Sequence, residues 1–141
     1  MPFKLVSRPD PAPMSFLVTN AESLDYGQCV RFVSGRLTAA GPTDPVAGVT
    51  THAVVGGTDQ SCRVVLVEPE QTWEADYTGT PIGGFVVGVS TVVLNAAGTP
   101  VGSRGGAFIN SANVTGGPCS VIGINATDRT CLVKFRARQL T

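Results

Sequence analysis

Apolar residues in this chain recur mostly at every second position, in short runs, which is the spacing of a strand with one buried face. TCLVKFRAR sets Cys131, Val133, Phe135 and Ala137 on one face and Lys134, Arg136 and Arg138 on the other. In SCRVVLVE, Cys62, Val64 and Leu66 lie opposite Arg63. TWEADY alternates Trp73, Ala75 and Tyr77 with Glu74 and Asp76, which predicts an amphipathic strand with a wet acidic side. Strands are predicted over 15–18, 28–33, 46–55 with a break at Gly48, 61–67, 72–77, 84–89, 91–95, 119–125 and 130–137. The runs at 84–89 and 91–95 read as buried, with a tight turn at Ala96-Ala97-Gly98. Asp128-Arg129 marks the turn of a closing hairpin. Only 21–25 has the makings of a helical turn.

Composition agrees with this pattern. The 141 residues include 17 Gly and 10 Pro, and only 14% are charged. Such a chain favours short strands joined by turns over helices. Its length suits one domain, and 43% hydrophobic content is enough for a core. The predicted class is all-β: a small single-domain β-barrel or β-tulip-like sandwich over 15–141, preceded by an extended proline-rich N-terminal arm over 1–14. In that arm Pro9, Pro11 and Pro13 remove backbone donors and forbid a helix. A formal net charge of zero argues against nucleic acid as the main partner, since phosphate binding needs surplus Lys and Arg. No apolar run reaches the about 7–15 residues of a secretory signal or the ~20 of a membrane span. The protein is therefore expected to be made in the cytoplasm, with no membrane partner.

Candidate chemistry is sparse. Cys29, Cys62, Cys119 and Cys131 form no CxxC pair, and the single histidine, His52, is not beside a cysteine in sequence. Free buried thiols are expected, with no metal and no cofactor. His52 reads as a strand residue with a satisfied imidazole, although a pairing with Cys62 stays open. Glu68 and Glu70 flank Pro69, and Glu74 and Asp76 share a face, but a glycosidase cleft also wants aromatics that are scarce here. The glycine pairs form neither a dinucleotide nor a phosphate-binding loop. Lys134, Arg136 and Arg138, with Arg129 nearby, form a basic face of the kind that is usually only solvated. No catalytic residue emerges.

One segment points elsewhere. GRLTAAGPTDPVAGV (35–49) reads as a short strand, a polar loop with two prolines and an Ala-Gly-Val strand; SCRVVLVEP and TWEADYTG follow. This order resembles the small head decoration, or cement, proteins of tailed bacteriophages, with Trp73-Glu74-Ala75 in place of that family's aromatic-acidic segment. Val121-Ile122-Gly123-Ile124 and Cys131-Leu132-Val133-Lys134-Phe135 resemble its closing strands, so the likeness spans roughly residues 27–138. The four cysteines and the proline-rich start depart from the family pattern. The resemblance implies a compact domain on the outer surface of the virion capsid. It would bind an HK97-like major capsid protein after expansion, as a homotrimer or, second, a dimer, without catalysis or cofactor. Phe3, Leu5, Phe16 and Leu17 are then expected to anchor the arm on the capsid, with the loops at Thr43-Asp44 and Gly79-Thr80-Pro81 as further contacts. Alternatives are a tail or baseplate module that recognises a host surface, a ligand-binding barrel, and a small hydrolase using Cys62 or Cys131.

Overall fold

Residues 3–6, 12–78, 83–91, 93–95, 107–112 and 114–140 are described by a computed structural model. Strands numbered in chain order make two sheets, with no helix among the described residues. In the first sheet the central strand is β7 (Trp73–Thr78). On one side of it lie β12 (Thr130–Phe135), β11 (Cys119–Asn125) and β8 (Ser90–Thr91), in that order. On its other side β1 (Lys4–Leu5) covers the first half and β10 (Ala107–Asn110) the second, with β9 (Val93–Asn95) beyond β10. All these pairings are antiparallel except β7 with β10.

The second sheet runs β2 (Met14–Leu17), β6 (Ser61–Leu66), β5 (Gly48–Thr50), β3 (Cys29–Val33) and β4 (Arg36–Ala39). It curls into a half-barrel whose ends meet. Val18, just after β2, bridges Leu37 of β4, and Thr19 N donates to Leu37 O at 2.9 Å. The β3–β4 hairpin turns on Ser34 and Gly35, both at positive φ, the conformation that a two-residue hairpin loop favours. Gly48 belongs to β5 rather than breaking it. A Cβ there would lie 2.9 Å from Val65 O, so β5 and β6 approach as they do only because the position is glycine.

Two cores result. Inside the half-barrel, Val18, Leu24, Val30, Leu37, Val54, Cys62 and Val64 pack together, with Phe16 and Phe32 edge to face at 4.9 Å. Between the sheets lies the larger cluster, which takes Cys29, Val46 and Val49 from the half-barrel side. From the other sheet come Trp73, Ala75, Tyr77, Val121, Val133 and Phe135. Phe3 and Trp73 pack against Phe135 at 5.4 and 5.9 Å between ring centroids. Such aromatic pairs contribute about 0.5–1.5 kcal/mol each beyond the area they bury. The chain end ties the sheets together. Val46 N donates to Ala137 O and Gln139 N to Val46 O, each at 3.0 Å.

The all-β reading holds, and most strand positions agree within a residue or two. Several features differ, β10 and the division of the 91–95 run into β8 and β9 among them. Residues 84–89 form turns rather than a buried strand, because Gly88 sits at φ 101° and Val86 N and Val89 N close tight turns. The 46–55 run shortens to β5, with only single bridges at Val46 and Val54. The start of the chain is not a free arm throughout, since Lys4–Leu5 forms β1 against β7. The turn expected at 96–98 lies outside the described residues.

Candidate docking surface

The four residues expected to anchor an arm divide among different tasks. Phe3 is 2% exposed and fills the chain's own larger core, with its N–H on Gly27 O at 3.3 Å. Leu5 pairs with Trp73 and packs on that same core. Phe16 lies half-buried in the half-barrel. Only Leu17 points outward, 43% exposed. Phe3 is therefore a residue of this chain's own core. The physical reason is that β7 has an uncovered edge ahead of β10, and residues 3–6 supply the missing backbone partners. The prolines that suggested an irregular arm begin only at Pro9, beyond that pairing.

The loop of the 35–49 segment is built to hold its shape. Gly41 N donates to Asp44 Oδ2 at 2.8 Å, Asp44 N to Gly41 O at 3.2 Å, and Arg31 Nε lies 3.4 Å from the same carboxylate. Asp44 thus stiffens the loop, while Pro42, Thr43 and Pro45 stay exposed. Gly79, Thr80 and Pro81 lie outside the described residues.

The groups weighed for chemistry do not converge. His52 sits in a bend rather than a strand; its Nε2 accepts from Arg63 N at 3.2 Å and its Nδ1 lies 3.1 Å from Ala53 O. Cys62 Sγ meets the His52 carbonyl at 3.7 Å, not the ring. All four thiols are free and buried. Burial pushes Cys29 and Cys119 well up, with Cys29 and Cys131 adding to the rise at Cys119. Burial and then the Glu74 charge push Cys131 up to about 12. Burial also raises Cys62, against a partial pull from the hydrogen bond to His52 and from the Arg63 charge. A thiol held protonated is a poor nucleophile. Iodoacetamide at pH 8 is expected to leave all four unlabelled until the protein unfolds; fast native-state labelling would contradict this environment.

Carboxylates and cations are likewise dispersed. Asp76 is 6% exposed, so the acidic side of β7 is not uniformly wet. β7 is an interior strand, with β12 on one side and β1 then β10 on the other, and a carboxylate in its middle loses access to water. Glu68 and Glu70 are exposed around a turn pinned by buried Gln71, whose Oε1 accepts from Glu68 N and Trp73 Nε1. Lys134 Nζ bonds Glu70 O at 3.3 Å, Arg138 bonds Phe135 O at 2.7 Å, and the Arg129 guanidinium lies 4.9 Å over the Tyr77 ring. Among the described residues no group of His, Cys, Asp and Glu is arranged to hold a metal ion.

What sequence reading missed is an apolar strip along the outer edge of β11. Gly88 N donates to Val121 O at 2.8 Å and Val121 N to Val89 O at 2.9 Å, so the 84–89 loop runs beside β11. Val86, Val87 at 61%, Ile122 and Ile124 are all exposed. The register of β11 on β12 slips between Val121 and Gly123, and this bulge re-aims Ile122. Beyond Val121, no described strand pairs with the side of β11 away from β12. The one available signal was the pair of glycines flanking Phe85-Val86-Val87, which suits an exposed turn better than a buried strand.

No protein-family model matches the chain, and no curated protein matches it in sequence.

Proposed function

We propose that this protein is a structural decoration, or cement, protein of a tailed-bacteriophage head. It binds the outside of an expanded HK97-like shell and bridges adjacent capsomers, as a homotrimer by first choice and a dimer by second. The observation that carries this reading is the 35–49 unit. Its two strands, β4 and β5, are set in the half-barrel, and Val46 and Val49 are anchored in the larger core. Between them a stiffened loop presents Pro42, Thr43 and Pro45 to solvent. A rigid loop on a packed scaffold loses little entropy on docking.

The task then needs no reaction. Many identical weak contacts around a shell act together, and a subunit that touches two capsomers makes the second contact intramolecular. Dispersed titratable groups and buried thiols fit that use. A tail module that reads a host surface would draw on exposed aromatics, yet Trp73 and Tyr77 are both buried and Tyr26 alone of the three is exposed. The test is shell stability. Expanded shells lacking the protein should release or lose their subunits at a higher temperature once it is added. An unchanged shell melting profile at saturating protein counts against the reading.

A further inference from the structure

Residues 51–57 run along the half-barrel and are fastened on two sides. Toward β6, Thr51 N and the Thr51 hydroxyl both donate to Arg63 O at 3.0 Å, and the Cys62 thiol lies 3.7 Å from His52 O. Toward the 21–24 segment, Val54 N donates to Leu24 O, Leu24 N to Val54 O, and Gly56 N to Ser23 Oγ. Leu24, Val54 and Cys62 belong to one packed cluster, so the 51–54 bend covers the part of the core that holds Cys62. A further link to β6 runs through the His52 ring, whose Nε2 lies 3.2 Å from Arg63 N.

The partners fix where that ring carries its proton. A backbone N–H only donates, so Nε2 accepts from Arg63 and is bare. A carbonyl only accepts, so Ala53 O, 3.1 Å from Nδ1, takes the Nδ1 proton. The neutral ring satisfies both neighbours, whereas a doubly protonated ring would aim its Nε2–H at the Arg63 N–H. Imidazole is the side chain that gains charge between pH 8 and pH 5. On β6 the charged and titratable neighbours are Arg63, which opposes a second positive charge, and Cys62. β2 sets the neutral Ser15 beside Arg63. The carboxylates of the 21–25 segment are Asp25 and Glu22, the latter taken up by Ala39 N and the Thr38 hydroxyl; Asp59 is paired with Arg36. We propose that His52 is an acid-released fastener. Its protonation in mild acid breaks the link to Arg63 N, loosens the 51–54 bend on β6 and opens a way to the Cys62 thiol. The other three thiols lie in the larger core, away from this bend, and stay covered.

This inference stands apart from the capsid reading and needs only the full chain. The probe is 4,4′-dithiodipyridine, which joins a thiol as a mixed disulfide and releases thiopyridone in acid as well as at neutral pH. Labelling rates at pH 7.5 and pH 5 are divided by those of the urea-unfolded chain at the same pH, and the labelled cysteines are located by peptide mass spectrometry. The normalised rate at Cys62 should rise about tenfold from pH 7.5 to pH 5, the scale of stranding one backbone donor, while Cys29, Cys119 and Cys131 stay protected. In His52→Gln a carbonyl oxygen accepts from the Arg63 N–H at either pH, so Cys62 should stay protected at both. A Cys62 rate that ignores pH, a rise shared by all four thiols, or a rise that persists in His52→Gln overturns the fastener. If His52→Gln fails to fold, the exchange protection of the Arg63 amide in the unsubstituted chain decides: a fall of about tenfold at pH 5 supports the fastener, and unchanged protection overturns it.

Discussion

The outer edges of β4 and β11 meet opposite fates. Beside β4, Thr19 takes Leu37 O, the Glu22 carboxylate accepts from Ala39 N and from the Thr38 hydroxyl, and the half-barrel closes. Beside β11, the backbone is matched among the described residues as far as Val121, and apolar side chains follow. Other openings in the molecule are also stopped. Residues 3–6 cover β7 ahead of β10, and the Gln139 amide takes both Phe32 N and Phe32 O, at 2.6 and 2.8 Å, like a borrowed peptide group. Proteins manage open edges because such edges invite pairing with other chains. Among the described residues, then, three openings are stopped by a strand, a carboxylate and an amide, while the β11 edge carries exposed apolar side chains.

The largest way to break this contrast is at β1. Phe3→Ala should cost about 3–5 kcal/mol in urea unfolding, the range for emptying an aromatic site in a core. Glu22→Ala should cost about 1–3 kcal/mol by stranding Ala39 N and the Thr38 hydroxyl, and should raise light scattering as the β4 edge opens. Gln139→Ala should cost about 1 kcal/mol, because its bonds are exposed to water. Ile122→Asp at the β11 edge should change stability by no more than about 0.5 kcal/mol. If Ile122→Asp destabilises as much as Glu22→Ala, the β11 edge serves the fold and not a partner.

A pH series sharpens the account of the cores. The native thiols are held above their usual value of 9.0, so unfolded chains lose those protons first as pH rises. Their contribution to stability is therefore complete below about pH 9 and declines above it, toward about pH 12 for Cys131. Flat stability from pH 7 to 8.5 followed by a fall is the expected profile, read by urea midpoints.

Period-two alternation was enough to place β6, β7, β11 and β12 and to put the cysteines inward, because strands with one buried face state their orientation directly. Pairing across long sequence distances was not legible. Nothing in PFKLV says that β7 lacks a neighbour there, so Phe3 read as a free anchor. β10 escaped notice for the same reason, since its parallel match to β7 spans some thirty residues. The site divided similarly. The 35–49 loop was legible through its prolines, whereas Val86 and Val87 read as buried because an apolar run is the same in a core strand and at an exposed turn. The hydrogen bonds of Gly88 and Val89 to Val121 tell the two apart.

The most direct test is co-sedimentation of the purified full chain with expanded capsid shells from its own virus that lack it. Saturable binding at a fixed ratio to the capsid subunit is the predicted result, and that ratio would name the symmetry axis occupied. Protein left wholly in the supernatant at concentrations far above those in an infected cell would contradict the account.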